Sequence, residues 1–257
     1  MTKHADYTVN EHLAVLSARE LVNGQIVFAG IGIPLLAAGL AQRTKCPNLT
    51  ILFEGGAVGA QLRPGKLPPS TNDQRSAKNS NMVMGSSEVL LLLQRGYVDV
   101  GFIGGAQIDR FGNLNSSAIL SNDGASNLRL PGSGGGNDIA SLTNLIVATK
   151  HERRRFVERV DFVTSPGWLG GGSARRDAGL YSGGTLRVVT NLAVLGFDEH
   201  TRTMKVLALN PGVTPAEVQE NTGFGLEFAS NLPFTEAPSS NELVILRELD
   251  PQRLLTA

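Results

Sequence analysis

Glu54 is the residue in this sequence with the plainest capacity for chemistry. It ends the apolar run Ile51-Leu52-Phe53 and is followed by Gly55-Gly56. A carboxylate at the end of a buried strand costs free energy unless it is paired or put to use. Put to use, it is a nucleophile, a general base or a metal ligand. Two structural roles compete with these: a cap on a helix N-terminus, or a salt bridge to an arginine.

A second candidate is the run Pro131-Gly132-Ser133-Gly134-Gly135-Gly136-Asn137-Asp138. Consecutive glycines can aim several backbone N–H groups at one anion, either a phosphate or a developing oxyanion. The run lacks the Lys-Ser/Thr end of a P-loop and the spacing of a dinucleotide fingerprint. A mobile glycine loop explains it as well. Glycines also recur after other apolar runs: Gly30 and Gly32, Gly55 and Gly56, Gly104 and Gly105. Ligands of open α/β sheets sit beyond the carboxyl ends of the strands. Glycine there lets the backbone turn sharply or approach a ligand, although a tight turn alone accounts for any one of them.

Other chemistry finds less support. His4, His12, His151 and His200 are scattered, and His151-Glu152 has no second histidine at zincin spacing, so no metal site is expected. Glu152-Arg153-Arg154-Arg155 reads as a solvated helix face, with arginines that could hold a phosphate or a partner's carboxylate. Gly132-Ser133-Gly134 lacks the spacing of a nucleophile elbow. Trp168 reads as core rather than pocket wall.

These residues need a frame to position them. Thr8-Val9-Asn10-Glu11 is a capping box, and a helix should follow to about Val22, burying Ala14, Ala18, Leu21 and Val22. Residues 26–29 form a strand, Gly30-Ile31-Gly32 turns the chain, and a helix runs over 34–43 with Pro34 at its first position. Strands are expected at 49–53, 98–103, 145–148, 160–164, 186–190, 193–197 and 205–209, the last two as a hairpin. Residues 113–120 are extended. Helices are expected at 86–93, after the box Thr214-Pro215-Ala216-Glu217, and over 243–249 after Ser239 and Glu242. Residues 58–84 and 122–137 read as loops, and long loops inside a compact domain are usually functional. Alternation of strands and helices predicts an α/β fold: an open, mostly parallel sheet with flanking helices, in one domain of residues 1–257.

Composition narrows the function classes. The 257 residues carry 23 Lys+Arg and 23 Asp+Glu, so the formal net charge is zero. No basic face for nucleic acid and no polybasic membrane patch is expected. Charged residues are 18% and apolar residues 41% of the chain, which speaks against disorder. Low charge also suits an obligate oligomer that covers surface with a partner. Cys46 is the single cysteine and fits a reducing, cytoplasmic compartment. Residues 1–11 are polar and do not resemble a signal peptide. The apolar stretch 26–41 is shorter than the ~20 residues of a spanning helix.

Taken together, these motifs resemble the β subunits of class I CoA-transferases, the glutaconate CoA-transferases most closely. The matching stretches are Asn23-Gly24-Gln25, Gly30-Ile31-Gly32-Ile33-Pro34, Glu54-Gly55-Gly56 and Phe102-Ile103-Gly104-Gly105-Ala106-Gln107-Ile108-Asp109. They continue through Gly112-Asn113-Leu114-Asn115, Gly132-Ser133-Gly134-Gly135, His151-Glu152 with Arg154-Arg155-Phe156, Thr164-Ser165-Pro166-Gly167-Trp168 and Glu220-Asn221-Thr222-Gly223-Phe224. The resemblance covers nearly the whole chain. It implies the fold shared by CoA-transferases, NagB and RpiA. It places the nucleophilic glutamate on Glu54 and oxyanion and CoA contacts at Gly134 and Gly135. Gly30, Gly32, Gly55, Gly104 and Gly105 fall on the walls of a CoA-ester site.

The implied reaction is a ping-pong exchange of CoA between an acyl-CoA and a carboxylic acid, through a glutamyl-CoA thioester. Coenzyme A is a substrate, and no tightly bound cofactor is implied. The implied partner is a separate α subunit, in an α2β2 or larger assembly. Two features depart from the family pattern. Many relatives have Ser where this chain has Gly55, and residues 60–86 differ from the glutaconate enzyme. Some relatives that lack the glutamate hydrolyse or decarboxylate CoA esters instead, and related folds serve as ligand sensors attached to DNA-binding modules. This chain keeps Glu54 and shows no such module.

Overall fold

The computed structural model describes residues 7–121 and 127–257. The sequence readings that touch residues 1–6, including His4, and residues 122–126 fall outside it. The described residues group into two compact units. One comprises the chain up to Phe102 together with Glu236–Ala257, and the other is Ile103–Thr235.

The first unit opens with helix α1 (Val9–Arg19), and the predicted capping box is formed. The Glu11 N–H donates to Thr8 Oγ1 at 3.1 Å, and the Thr8 N–H donates to Glu11 Oε2 at 2.8 Å. The helix ends at Arg19 rather than near Val22 because residues 22–25 close a turn of their own. There the Gln25 side chain accepts from the Val22 N–H at 2.9 Å. Val22 is therefore exposed, while Ala14, Ala18 and Leu21 are buried as expected.

The chain continues through β1 (Ile26–Ala29), α2 (Ile33–Arg43) and β2 (Thr50–Leu52). It then makes β3 (Ala57–Val58), β4 (Met82–Val83), α3 (Ser86–Gln94) and β5 (Val100–Ile103). Strand order in this unit is β5-β1-β2-β3-β4. The central strand β1 runs parallel to both β2 and β5, with Phe28 opposite Leu52 and Gly101. Strands β3 and β4 turn back antiparallel, so part of the expected 58–84 loop extends the sheet. Helix α2 is buried from Pro34 to Ala41, as its unbroken apolar sequence requires.

The C-terminal helix, Ser240–Leu249, packs on α1 and α2. It carries Arg247 to Glu11, a fully buried carboxylate 2.8 Å from the guanidinium. Burial opposes ionisation of Glu11, but the hydrogen bonds from Arg247 and Thr8 outweigh it and hold the pKa below 4.5.

The second unit is built from β6 (Gln107–Ile108), β7 (Leu114–Asn115), β8 (Ala118–Ile119), β9 (Leu128–Arg129), α4 (Gly136–Leu142) and β10 (Asn144–Thr149). It continues with α5 (Ala174–Asp177), β11 (Gly184–Thr190), β12 (Ala193–Phe197), β13 (Met204–Leu209), α6 (Pro215–Glu220) and β14 (Glu227–Phe228). Its main strand order is β14-β13-β12-β11-β10. The pair β10/β11 is parallel and the predicted β12/β13 hairpin is antiparallel. Phe156, Val188, Leu195 and Val206 are among the residues that fill the core beneath it.

Two expectations fail here. Residues 160–164 are not a strand. Asp161 is held by a side chain instead of a ladder: its N–H donates to Gln107 Oε1 at 3.1 Å, and its Oδ2 accepts from Gln107 Nε2 at 2.9 Å. Phe162 and Val163 are left exposed. Residues 152–155 are a single turn rather than a helix face, closed by the Phe156 N–H on Glu152 O at 3.0 Å. Helix α4 has no signal in the sequence, because three of the residues leading into it are glycines, the poorest helix formers after proline.

Replacing Arg247 with Met leaves the Glu11 carboxylate buried without its ion-pair partner. The expected loss is about 1–3 kcal/mol of unfolding free energy in urea melts at pH 7. A lowered native pKa stabilises above the unfolded value, so this contribution fades as the pH falls below about 4.5. The variant and the parent should therefore converge in acid.

Candidate active site

Parallel pairing of β1 with β2 and β5 sends the chain out of the sheet on one side. Gly30 follows β1 and donates its N–H to Phe102 O at 3.2 Å. Gly32 caps α2 with φ +87°, a conformation that favours glycine, and Pro34 is the second helical residue rather than the first. Glu54 leaves β2 in the turn to β3, which is closed by the Phe53 N–H on Ala57 O at 3.0 Å. Glu54 is half-buried, and it stands in that turn rather than at the start of a helix, so capping does not account for it.

The loop 60–86 lies directly on this turn. Residues Ser70 to Asp73 form a β-turn, with the Asp73 N–H on Ser70 O at 3.1 Å. The tip of that turn is Thr71-Asn72. Gly55 donates its N–H to Thr71 O at 3.2 Å, and Thr71 Oγ1 donates to Glu54 Oε2 at 3.4 Å. A Cβ on Gly55 would stand 2.7 Å from both Thr71 O and Asn72 Cα, which are backbone atoms that cannot swing aside. Gly55 therefore has no room for a side chain, because the loop occupies that space. Gly56 is similarly enclosed, with φ +104° and Met84 O where a Cβ would go.

A cleft of about 420 Å³ in the same unit is lined by Ile31, Leu67, Pro68, Arg75, Pro251 and Leu255, among others. Its walls are mostly apolar, and Arg75 is paired with Asp73 at 3.1 Å. Ile31 joins it to the Gly30–Gly32 turn.

The remaining candidates belong to the second unit. Gly104 and Gly105 follow β5 in sequence. Gly104 is exposed, and Gly105 O accepts from Arg155 at 3.3 Å. Gly134 has φ +49°, and Gly135 is the N-cap of α4. The arginines of the charge run are largely committed internally. Arg153 donates to Glu220 O and Thr222 O, while Arg154 and Arg155 pair with Glu152. Among the described residues no group of His, Cys, Asp and Glu could hold a metal ion. Trp168 is half-buried, with Nε1 donating to Thr185 O at 2.7 Å and Arg202 over its ring.

Some structurally decisive polar residues carried no local signal. Arg175 is buried and donates to Ala140, Ser141, Pro166, Gly167 and Ser182 carbonyls. Burial brings its pKa down to about 10, so it stays charged at neutral pH. Asn113 bonds the Asp109 carboxylate and accepts from the Gly167 and Leu169 N–H groups. His151 stacks on Phe156 with ring centroids 3.9 Å apart and bridges Thr190 and Thr222. Burial lowers its pKa to about 3, so it is neutral and serves packing rather than proton transfer.

A parallel β1/β2/β5 core with a carboxylate in the turn that follows β2 has the edge geometry at which open α/β folds bind ligands. The Coenzyme A transferase family model matches residues 10–221. The chain is 38% identical over 246 residues to the B subunit of the 3-oxoadipate CoA-transferase of Pseudomonas knackmussii, covering 95% of this chain and 94% of that one. It is 37% identical over 258 residues to the B subunit of the glutaconate CoA-transferase of Acidaminococcus fermentans, covering 98% and 96%. The crystal structure of that glutaconate enzyme superposes with a TM-score of 0.91 at 35% identity, over 99% of each chain. A cholesterol ring-cleaving hydrolase subunit of Rhodococcus jostii is 31% identical over 89% of each chain. This chain belongs to the coenzyme A transferase family, as a class I β subunit with CoA as a substrate.

Two outcomes follow from this geometry. Gly55→Ala should force the Thr71-Asn72 turn off Glu54 and cost about 1–3 kcal/mol, read as a lowered denaturation midpoint. His151 should stay neutral in the native state, so its ring signals should not titrate in NMR spectra between pH 8 and 5. Because the unfolded histidine takes up a proton near 6.5 and the native one near 3, stability should fall as the pH drops through that window.

Proposed function

We propose that this chain is the β subunit of a CoA-transferase that acts by ping-pong chemistry through a glutamyl-CoA thioester on Glu54. The observation that carries this is a half-buried carboxylate at the carboxyl end of a parallel strand, hydrogen-bonded by a hydroxyl and held in a closed turn. Glu54 attacks the thioester carbonyl of the donor, giving a mixed anhydride and CoA thiolate. The thiolate attacks the glutamyl carbonyl, releases the donor acid and leaves the Glu54–CoA thioester. An acceptor carboxylate then runs the sequence in reverse. Each step exchanges one activated carbonyl for another, so no ATP is consumed.

Each tetrahedral intermediate needs oxyanion donors, and the backbone around Gly134 and Gly135 is the candidate source. Gly30, Gly32, Gly104 and Gly105 bound the CoA ester, and Gly55 borders it while leaving room for the Thr71-Asn72 turn. The acids are of the glutaconate or 3-oxoacid type, in keeping with the substrates named for the two relatives above. A separate α subunit completes a hetero-oligomer, α2β2 or larger, with the chain of residues 1–257 working as one domain. The reaction takes place in the cytoplasm. No helix among the described residues is long and apolar enough to cross a membrane.

The test is Glu54→Ala in the assembled α–β complex, followed by CoA exchange between glutaconate, 3-oxoadipate, succinate and acetate. Loss of the nucleophile should lower kcat by about 10⁴-fold or more. Borohydride should reduce the glutamyl-CoA thioester of the parent to an alcohol side chain at position 54, with release of CoA, inactivating the parent in the presence of acyl-CoA, and should leave residue 54 of the variant unmodified. Steady release of free acid from a parent that borohydride leaves unmodified would instead assign hydrolysis of the CoA ester.

A further inference from the structure

We propose that Thr71 is the hydrogen-bond donor to the carbonyl oxygen of Glu54 throughout the reaction, and that Gly55 is glycine so that this donor can sit there. The inference rests on the reading of Glu54 as the nucleophile. Its basis is the contact between the two side chains: Thr71 Oγ1 donates to Oε2, not Oε1, at 3.4 Å.

The donor is held from both sides. Its own carbonyl accepts from the Gly55 N–H at 3.2 Å, so Thr71 is tied to the residue next to the nucleophile. On the far side the Ser70–Asp73 turn is fixed by the Asn72 N–H on Ser70 Oγ at 3.2 Å and by Asp73, whose side chain accepts from the Arg75 N–H at 2.8 Å. Any side chain at Gly55 would meet Thr71 O and Asn72 Cα at 2.7 Å and displace the turn.

The division of labour between the two carboxylate oxygens follows. Oε1 attacks the donor thioester and becomes the bridging oxygen of the anhydride. CoA thiolate then adds to Cδ, the carbonyl electron pair moves onto Oε2, and collapse expels the donor acid together with Oε1. In the second half the acceptor carboxylate adds to Cδ of the glutamyl thioester, Oε2 again takes the charge, and collapse expels CoA as thiolate. Oε2 stays on Glu54 through both additions. In the resting carboxylate its charge is shared with Oε1, whereas in each tetrahedral intermediate it carries a full charge. A donor aimed at Oε2 is therefore worth more in the transition states than in the ground state, the condition for raising kcat. Contacts of this kind are often long in the free enzyme and tighten as charge develops.

The experiment compares Thr71→Val and Thr71→Ser in the α–β complex, with Glu54→Ala alongside. Thr71 is half-buried at a turn tip, and Val matches its shape, so melting temperatures should be unchanged. Thr71→Val should lower kcat about 10²-fold with KM nearly unchanged, and Thr71→Ser should restore most of the rate. A Val variant within about threefold of the parent kcat overturns the proposal, as does a Ser variant as slow as Val, which would assign the residue to packing. If the parent complex shows no CoA exchange, the underlying reading of Glu54 fails as well. If Glu54→Ala abolishes exchange while Thr71→Val leaves it intact, only the role of Thr71 is lost.

Discussion

The parallel register of β1 with β2 and β5 is the constraint on which the Glu54 region depends. Parallel strands leave a sheet on the same side, so every chain segment that follows them must turn there. With Phe28 opposite both Leu52 and Gly101, the residues after β1 and β2 emerge level with one another. Space at that edge is short. The loop after β3 has to return across the turn that holds Glu54, and it can do so only where side chains are missing. Gly55 and Gly56 provide that room against Thr71-Asn72 and Met84.

How much of this is legible in the sequence depends on distance along the chain. The helix caps at Thr8, Thr214 and Ser239 are local, with donor and acceptor three residues apart, and each side chain accepts its N–H as expected. The β-branched and aromatic runs of β1, β5, β12 and β13 are likewise local signals. Residues 160–164 have the composition of a strand, yet their place is decided by Gln107 through Asp161, more than fifty residues away in sequence. Helix α4 is hidden because a glycine run carries no helical propensity of its own, and packing of Ile139 and Ala140 supplies what propensity does not. Glu54 is readable because its burial is costly. Thr71 is not, since nothing near it announces a partner seventeen residues earlier.

The second unit is stabilised in a different way. Arg175 gathers carbonyls from α4, from the Pro166-Gly167 loop and from Ser182, several of them buried. Asn113 does the same for the N–H groups of Gly167 and Leu169. These side chains stand in for secondary structure across an irregular stretch. A lysine, with one ammonium and no planar fork, could not replace Arg175 there.

The first unit is discontinuous in sequence, and this bears on how the protein is made. Synthesis delivers α1 first, with its Glu11 carboxylate destined for a site that excludes water. The cations that favour it, Arg247 and Arg253, lie on the far side of the second unit in sequence, with Arg247 236 residues further along the chain. The second unit, by contrast, is contiguous and has all of its residues once Thr235 has emerged. The core of the first unit therefore needs the segment Glu236–Ala257 as well as the residues up to Phe102. The turn carrying Glu54 thus belongs to a unit whose core is complete only when two segments separated by the whole second unit have met.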